Sequence, residues 1–504
     1  MSLGGANRIV VVACYVLCIP PASGQIVDSA VADIKAPKAG DVQIATHRYK
    51  TRGGKTGEYE VGTFYVRENR SEVDSRIISI GFSRFRAKNE ATSPPIFILP
   101  GGPGSSYQED DPTNPQLQKT PFYVTALWGR SDVITVDQRG ASLRGEVLRG
   151  YFNGLPPKPD SGIKHKIEDS RRFAKSVAKK YSTTKTDLRG YTVLECIEDV
   201  NELRQALGYK KISLCGGSFG SQWSFGIMKK YPEIVARALL SGVEPLDHGY
   251  DMPSHTFAAL ERIWRVINKD PRFQPYLPAG GMKEAAESVI KKLETEGIEV
   301  QKASVPGVDR LQTVRILGPT DFPWDEPAQI LELYHGQTAR WASQRGRARG
   351  IVRILYHLID SSLGVTPERR KKLLQDPATR FFSTRYFEPL MAAAEFWPTA
   401  DVGDDFRRPV RCEIPVVFVH GDWDRNTPIE NTFEIEPYFP NSHTLVVHQA
   451  GHGTITRELF REHPKVFNGL MRFLSKGELR DVPDRITVKP YKTFAPPKFR
   501  LPAD

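Results

Sequence analysis

Short apolar runs closed by turn residues recur along the chain, and the intervals between them carry helical periodicity. Tyr59 to Val66 and Arg76 to Phe85 alternate apolar and polar positions, the period of a strand pair. Six further runs predict buried strands. Pro95 to Leu99 ends in Pro100-Gly101-Gly102-Pro103-Gly104, and Asp132 to Val136 ends in Asp137-Gln138-Arg139-Gly140. Lys211 to Cys215 ends in Gly216-Gly217-Ser218, and Ala236 to Ser241, Ile414 to His420 and His443 to His448 complete the set. Between them, Thr192 to Leu207 places Leu194, Ile197, Val200, Leu203 and Leu207 at helical spacing, and Gly208 ends it. Ser221 to Lys230 and Pro464 to Leu474 read as helices too. Short apolar strands separated by helices predict a mostly parallel sheet covered on both faces.

The rhythm breaks once. The stretch from Gly242 to Ile414 is far too long for a crossover. Glu284 to Leu293, Ala328 to Leu333 and Gly350 to Leu358 predict helices within it, so it reads as an inserted, mostly helical cap. A smaller polar insertion covers Gly150 to Lys185. The expected organisation is a core in two parts, 25–243 and 411–475, a cap at 244–410, and a Pro- and Lys-rich tail at 476–504 that wraps the surface.

Residues 1–24 look like an export signal: Arg8, an apolar run from Ile9 to Pro20, then Ala22-Ser23-Gly24. A secreted or periplasmic location is expected, without an integral membrane span; lipid attachment at Cys14 is a less favoured variant. Of five Cys, the signal would remove Cys14 and Cys18. Cys196, Cys215 and Cys412 have neither CxxC nor metal spacing, and Cys215 falls in a buried strand. The net charge is +11, from 70 basic and 59 acidic residues, with both signs interspersed. That describes a solvated mixed surface and gives no basic stripe for nucleic acid. No cofactor or metal is called for.

The candidate chemistry begins at Gly216-Gly217-Ser218-Phe219-Gly220. A G-x-S-x-G pattern between a strand and a helix turns the chain sharply and holds the serine hydroxyl at the sheet's carboxyl edge. A neutral hydroxyl is a poor nucleophile and needs a base held by an acid, here in the chain order Ser, acid, His. Asp424 lies in the loop after one downstream strand, and His452 in Ala450-Gly451-His452-Gly453 after the next. Asp422 is the rival acid. His443 and His448 are rival bases but lie in a strand, and His420 reads as a core or loop histidine. The expected oxyanion donors are the N–H groups of Phe219 and Gly102, with Gly101 next in line.

Leu99 to Gly104, Asp137-Gln138-Arg139-Gly140, Gly216 to Gly220, Gly421 to Pro428 and Gly451-His452-Gly453 resemble, in that order, the prolyl aminopeptidase and tripeptidyl aminopeptidase group of α/β-hydrolases. Ala394-Glu395-Phe396-Trp397-Pro398 and Pro100, where prolyl aminopeptidases carry His, look like the tripeptidyl side. The resemblance spans about Tyr59 to Leu474. It implies an α/β-hydrolase fold and an exopeptidase acting on peptides with a free N-terminus, with Ser218, Asp424 and His452 as its triad. It also implies cap carboxylates for the substrate's amino group, with Glu244 a candidate. An esterase acting on a small ester with the same triad stays open, as does a catalytically dead fold used for binding. The oligomeric state is not readable.

Overall fold

The computed structural model describes residues 36–50, 56–87, 93–106, 131–154, 162–295, 298–300, 303–305, 323–343, 349–453, 458–490 and 492–501, with residues 91 and 127 besides. The expected export signal, 1–24, lies outside the described residues.

The strands are β1 (Val42–Lys50), β2 (Thr56–Arg67), β3 (Ile77–Phe85), β4 (Ile96–Leu99), β5 (Val133–Val136), β6 (Arg149–Asn153), β7 (Ile212–Gly217), β8 (Val235–Ser241), β9 (Ile298–Val300), β10 (Ala303–Val305), β11 (Arg349–Arg353), β12 (Val416–Gly421), β13 (Ser442–His448) and β14 (Arg485–Thr487). Ten form one sheet in the order β1-β2-β3-β5-β4-β7-β8-β12-β13-β14. From β5 to β14 the pairs are parallel, while β1, β2 and β3 form an antiparallel edge. β1 was hidden in the polar lead of the sequence. Its Val-Gln-Ile-Ala-Thr-His alternation is too polar to stand out without β2 beside it.

Eight helices matter here: α1 (Gly162–Tyr181), α2 (Val193–Ala206), α3 (Phe219–Lys230), α4 (Pro253–Ile267), α5 (Gly281–Thr295), α6 (Glu326–Tyr334), α7 (Leu355–Leu363) and α8 (Pro464–Lys476). Strand alternation divides the core. Val416 and Phe418 of β12 pack in one cluster with α2 and α3, through Ile197, Val200, Phe225 and Ile227. Val417 and Val419 face the other way and pack with Phe467, Leu470 and Leu474 of α8. The helices therefore cover both faces, as expected.

The cap has its own cluster, which joins α4, α5 and α6 through Trp264, Ile290 and Leu331. Trp423 of the β12 loop and Phe494 of the tail are buried in that same cluster. Gly350 to Leu358 is not one helix. Arg349–Arg353 is β11, antiparallel to β6, and α7 starts only at Leu355. Ile351 and Val352 are β-branched, and β6 from the smaller insertion supplies a partner that local periodicity cannot reveal. The tail does more than wrap: β14 adds the last parallel strand beside β13. Cys196 and Cys215 are buried and Cys412 is half-buried, all three as free thiols. Among the described residues no helix is long and apolar enough to cross a membrane.

Candidate active site

β7 ends at Gly217 and α3 begins at Phe219, so Ser218 alone makes the turn, with φ 56° and ψ −134°. Holding a non-glycine residue there costs about 1–3 kcal/mol, which the surrounding hydrogen bonds and packing must offset. The Ser218 N–H donates to the carbonyls of Ser241 (3.0 Å) and Gly242 (3.1 Å). The flanking glycines are steric necessities. A Cβ on Gly216 would lie 2.2 Å from the Gly220 oxygen, and one on Gly220 would lie 2.3 Å from the Leu99 oxygen.

The acid loop follows β12. Asp424 is buried. Its Oδ1 accepts from the N–H groups of Asn426 and Thr427, both at 2.9 Å, and its Oδ2 accepts from Thr427 Oγ1 at 2.8 Å. His452 Nδ1 stands 2.8 Å from the same Oδ2. Burial works against the charge on Asp424, but His452 and hydrogen bonds from His420 and His452 outweigh it and hold the carboxyl well below the usual range. The His452 ring lies over Gly242, whose missing side chain makes room for it: a Cβ there would be 2.9 Å from Cε1. The rivals pair elsewhere. Asp422 Oδ2 is 2.9 Å from His448 Nδ1. His443 faces the Pro483 carbonyl. His420 is buried between Thr432 Oγ1 and the Thr427 carbonyl, each at 2.6 Å, and its Nε2 also stands 3.5 Å from Asp424 Oδ2, behind the acid.

The glycine loop after β4 passes beside the serine. A Cβ on Gly101 would lie 3.2 Å from Ser218 Cβ. Gly102 adopts φ +114° and lines a cavity together with Ser218. Among the described residues, neither the Gly102 nor the Phe219 N–H donates a hydrogen bond, so both remain available to an oxyanion. The Asp137-Gln138-Arg139-Gly140 turn holds the loop in place. Gln138 Nε2 donates to the Gly101 carbonyl (2.8 Å), and its Oε1 accepts from the Gly104 N–H (2.7 Å). Arg139, fully buried, grips Asp199 of α2 through two hydrogen bonds.

The cavity measures about 230 Å³ and opens on Ser218. Three carboxylic acids line it: Glu244 and Asp251, in the loop after β8, and Asp360 of α7. Asp251 accepts from Asn431 Nδ2 at 2.7 Å. Neither Glu244 nor Asp360 has a side-chain hydrogen bond or ion pair among the described residues. Burial pushes Asp360 well up; burial, then repulsion from Asp251, Asp360 and Asp424, does the same to Glu244 against the pull of His452. Asp251 rises to about 6, chiefly through burial. Among the described residues of the lining the one ionisable base is His248, held down to about 3 by burial and by Arg369. Among the described residues, an acidic hollow whose lining holds no cation therefore adjoins the serine. Sequence reasoning reached Glu244 but missed Asp251 and Asp360, which lie at unrelated chain positions in the cap.

A family model described as TAP-like protein matches residues 379–483. The match takes in Asp424 and His452 and the Ala394 to Pro398 stretch. Over residues 379–483 the chain therefore resembles the tripeptidyl aminopeptidase group of α/β-hydrolases. The α/β-hydrolase MGS-M2 from a Medee basin deep-sea metagenome library aligns at 12% identity over 80% of this chain and 96% of its own, with a TM-score of 0.34. A serine hydrolase from Cycloclasticus zankles aligns at 13% identity over 84% of this chain and 100% of its own (TM-score 0.36), and the esterase EaEST from Exiguobacterium antarcticum at 12% over 80% and 97% (TM-score 0.36). Likeness of this degree says nothing about the substrate of this protein. No curated protein matches the sequence.

Proposed function

We propose that this α/β-hydrolase is a serine aminopeptidase. His452 takes the proton from Ser218 as the hydroxyl attacks the carbonyl of the N-terminal residue. Asp424, kept ionised, orients the imidazole and stabilises its charged form. The N–H groups of Gly102 and Phe219 receive the oxyanion. The same histidine then protonates the leaving amine and activates the water that hydrolyses the acyl-enzyme.

The observation that carries this reading is the carboxyl-lined cavity beside Ser218. An ester substrate has no use for two unpaired, largely buried carboxylates, which are costly to keep in a folded protein. A substrate ammonium group satisfies them. The export-signal pattern of residues 1–24 supports action outside the cytoplasm, to be checked by fractionating cells that express the full chain.

A fluorophosphonate probe tests the nucleophile: labelling is expected in the native chain and absent in Ser218→Ala. Aminoacyl-coumarin amides, their N-acetylated forms and p-nitrophenyl esters test the class. Free-amine amides should be hydrolysed, and N-acetylation should reduce kcat/KM at least a hundredfold. Hydrolysis confined to esters would instead assign the chain to the esterases.

A further inference from the structure

The cavity contains more carboxyl groups than one ammonium group needs. Glu244 and Asp251 approach from the loop that follows β8, on the serine side. The Glu244 N–H donates to Ser221 Oγ at 2.9 Å, which ties that residue to the first turn of α3, directly after the nucleophile. Asp360 comes from α7. Tyr356 lies one turn before it on the same helix face, and both line the cavity. Tyr250, Tyr386, Phe382 and Phe387 supply the remaining aromatic wall. At about 230 Å³ the space falls below the roughly 300–1,000 Å³ of pockets that take drug-sized ligands, so it suits one residue better than three.

We infer that the N-terminal residue this enzyme prefers to release carries a second cation, namely lysine or arginine. The inference rests on the aminopeptidase reading and extends it to the substrate class. The α-ammonium binds the Glu244 and Asp251 side, next to the scissile carbonyl. The side-chain cation reaches Asp360, and its aliphatic stem runs along aromatic faces that also attract the cationic head. A neutral N-terminal residue would leave Asp360 buried without a partner. An acidic one would add a further negative charge to three carboxylic acids. The proton affinity that burial raises in these groups fits a site that ionises fully only when cations enter.

The test compares kcat/KM for lysyl-, arginyl-, alanyl-, leucyl-, prolyl- and glutamyl-coumarin amides, with Lys-Ala-Ala-coumarin amide as a tripeptidyl control. The lysyl and arginyl compounds should exceed the alanyl, leucyl and prolyl ones at least tenfold. The glutamyl compound should be the poorest, and free lysine should be the first product from a lysine-initiated peptide. Asp360→Asn, checked for folding by thermal melting and by fluorophosphonate labelling, should lower the lysyl-to-alanyl ratio at least tenfold. A native preference for alanyl, leucyl or prolyl compounds overturns the inference while leaving the aminopeptidase reading intact. Equal lysyl-to-alanyl ratios in Asp360→Asn and the native enzyme overturn it as well. Hydrolysis of esters alone, or indifference to N-acetylation, overturns both.

Discussion

At the scale of single residues, two aspartates two positions apart have been given different partners. Asp424 faces His452, and Asp422 faces His448. Asp424→Asn should therefore lower kcat about 10,000-fold, the loss caused when an orienting aspartate in a Ser-His-Asp triad becomes an amide. Asp422→Asn should leave kcat within a few-fold of native. Steady-state kinetics on one free-amine substrate decides between them. The cavity acids make a second prediction, on stability. Glu244 has a proton affinity raised by burial, so above the ordinary carboxyl range the folded chain retains a proton that the unfolded chain releases. Its contribution to stability is present below the ordinary carboxyl range and is lost as pH rises through the folded value. Asp424 behaves in the opposite sense: its contribution is present above the ordinary range and is lost as pH falls. Glu244→Gln should accordingly raise Tm at pH 8 by ~1–3 °C while weakening substrate binding, and the gain should vanish near pH 4. Thermal melts at the two pH values measure it.

At the scale of elements, the acid loop between β12 and β13 is held by the cap as firmly as by the core. Arg262 of α4 donates to the Asp422 carbonyl (2.6 Å) and pairs with Glu430 (2.7 Å). Arg425, fully buried, pairs with Glu326 at the start of α6 (2.9 Å). Trp423, between the two aspartates, is packed into the cap cluster. Burial lifts the Glu326 carboxyl to about 7 even against the pull of Arg425. Removing the carboxylate leaves a buried guanidinium uncompensated. Glu326→Ala should cost roughly 3–5 kcal/mol in denaturant unfolding. Because Arg425 adjoins Asp424, the folded fraction of that variant should also show a lower kcat at unchanged fluorophosphonate affinity for Ser218.

At the scale of the whole molecule, the tail closes both structural units. β14 covers the outer edge of β13, and Phe494 enters the cap cluster beside Trp324 and Trp423. Deleting residues 484–504 should expose an unpaired parallel edge and open the cap cluster. A lower Tm and concentration-dependent association in gel filtration are expected. The smaller insertion has an equally non-local role. α1 packs against cap residues near Glu388, and β6 pairs with β11, so segments separated by α2, β7, α3 and β8 of the core join in one cap.

Much of this was already written in the chain. The strand runs that end in glycine-rich turns and the order Ser218, Asp424, His452 are local or sequential patterns, and local sterics and periodicity suffice to read them. The pairing of Asp424 with His452 and of Asp422 with His448, the split of Gly350 to Leu358 into β11 and α7, and the gathering of Glu244, Asp251 and Asp360 into one hollow were decided only by tertiary structure. Each depends on what stands opposite a residue in space. A carboxyl's partner, a strand's neighbour and the burial that raises a proton affinity all come from segments remote in sequence.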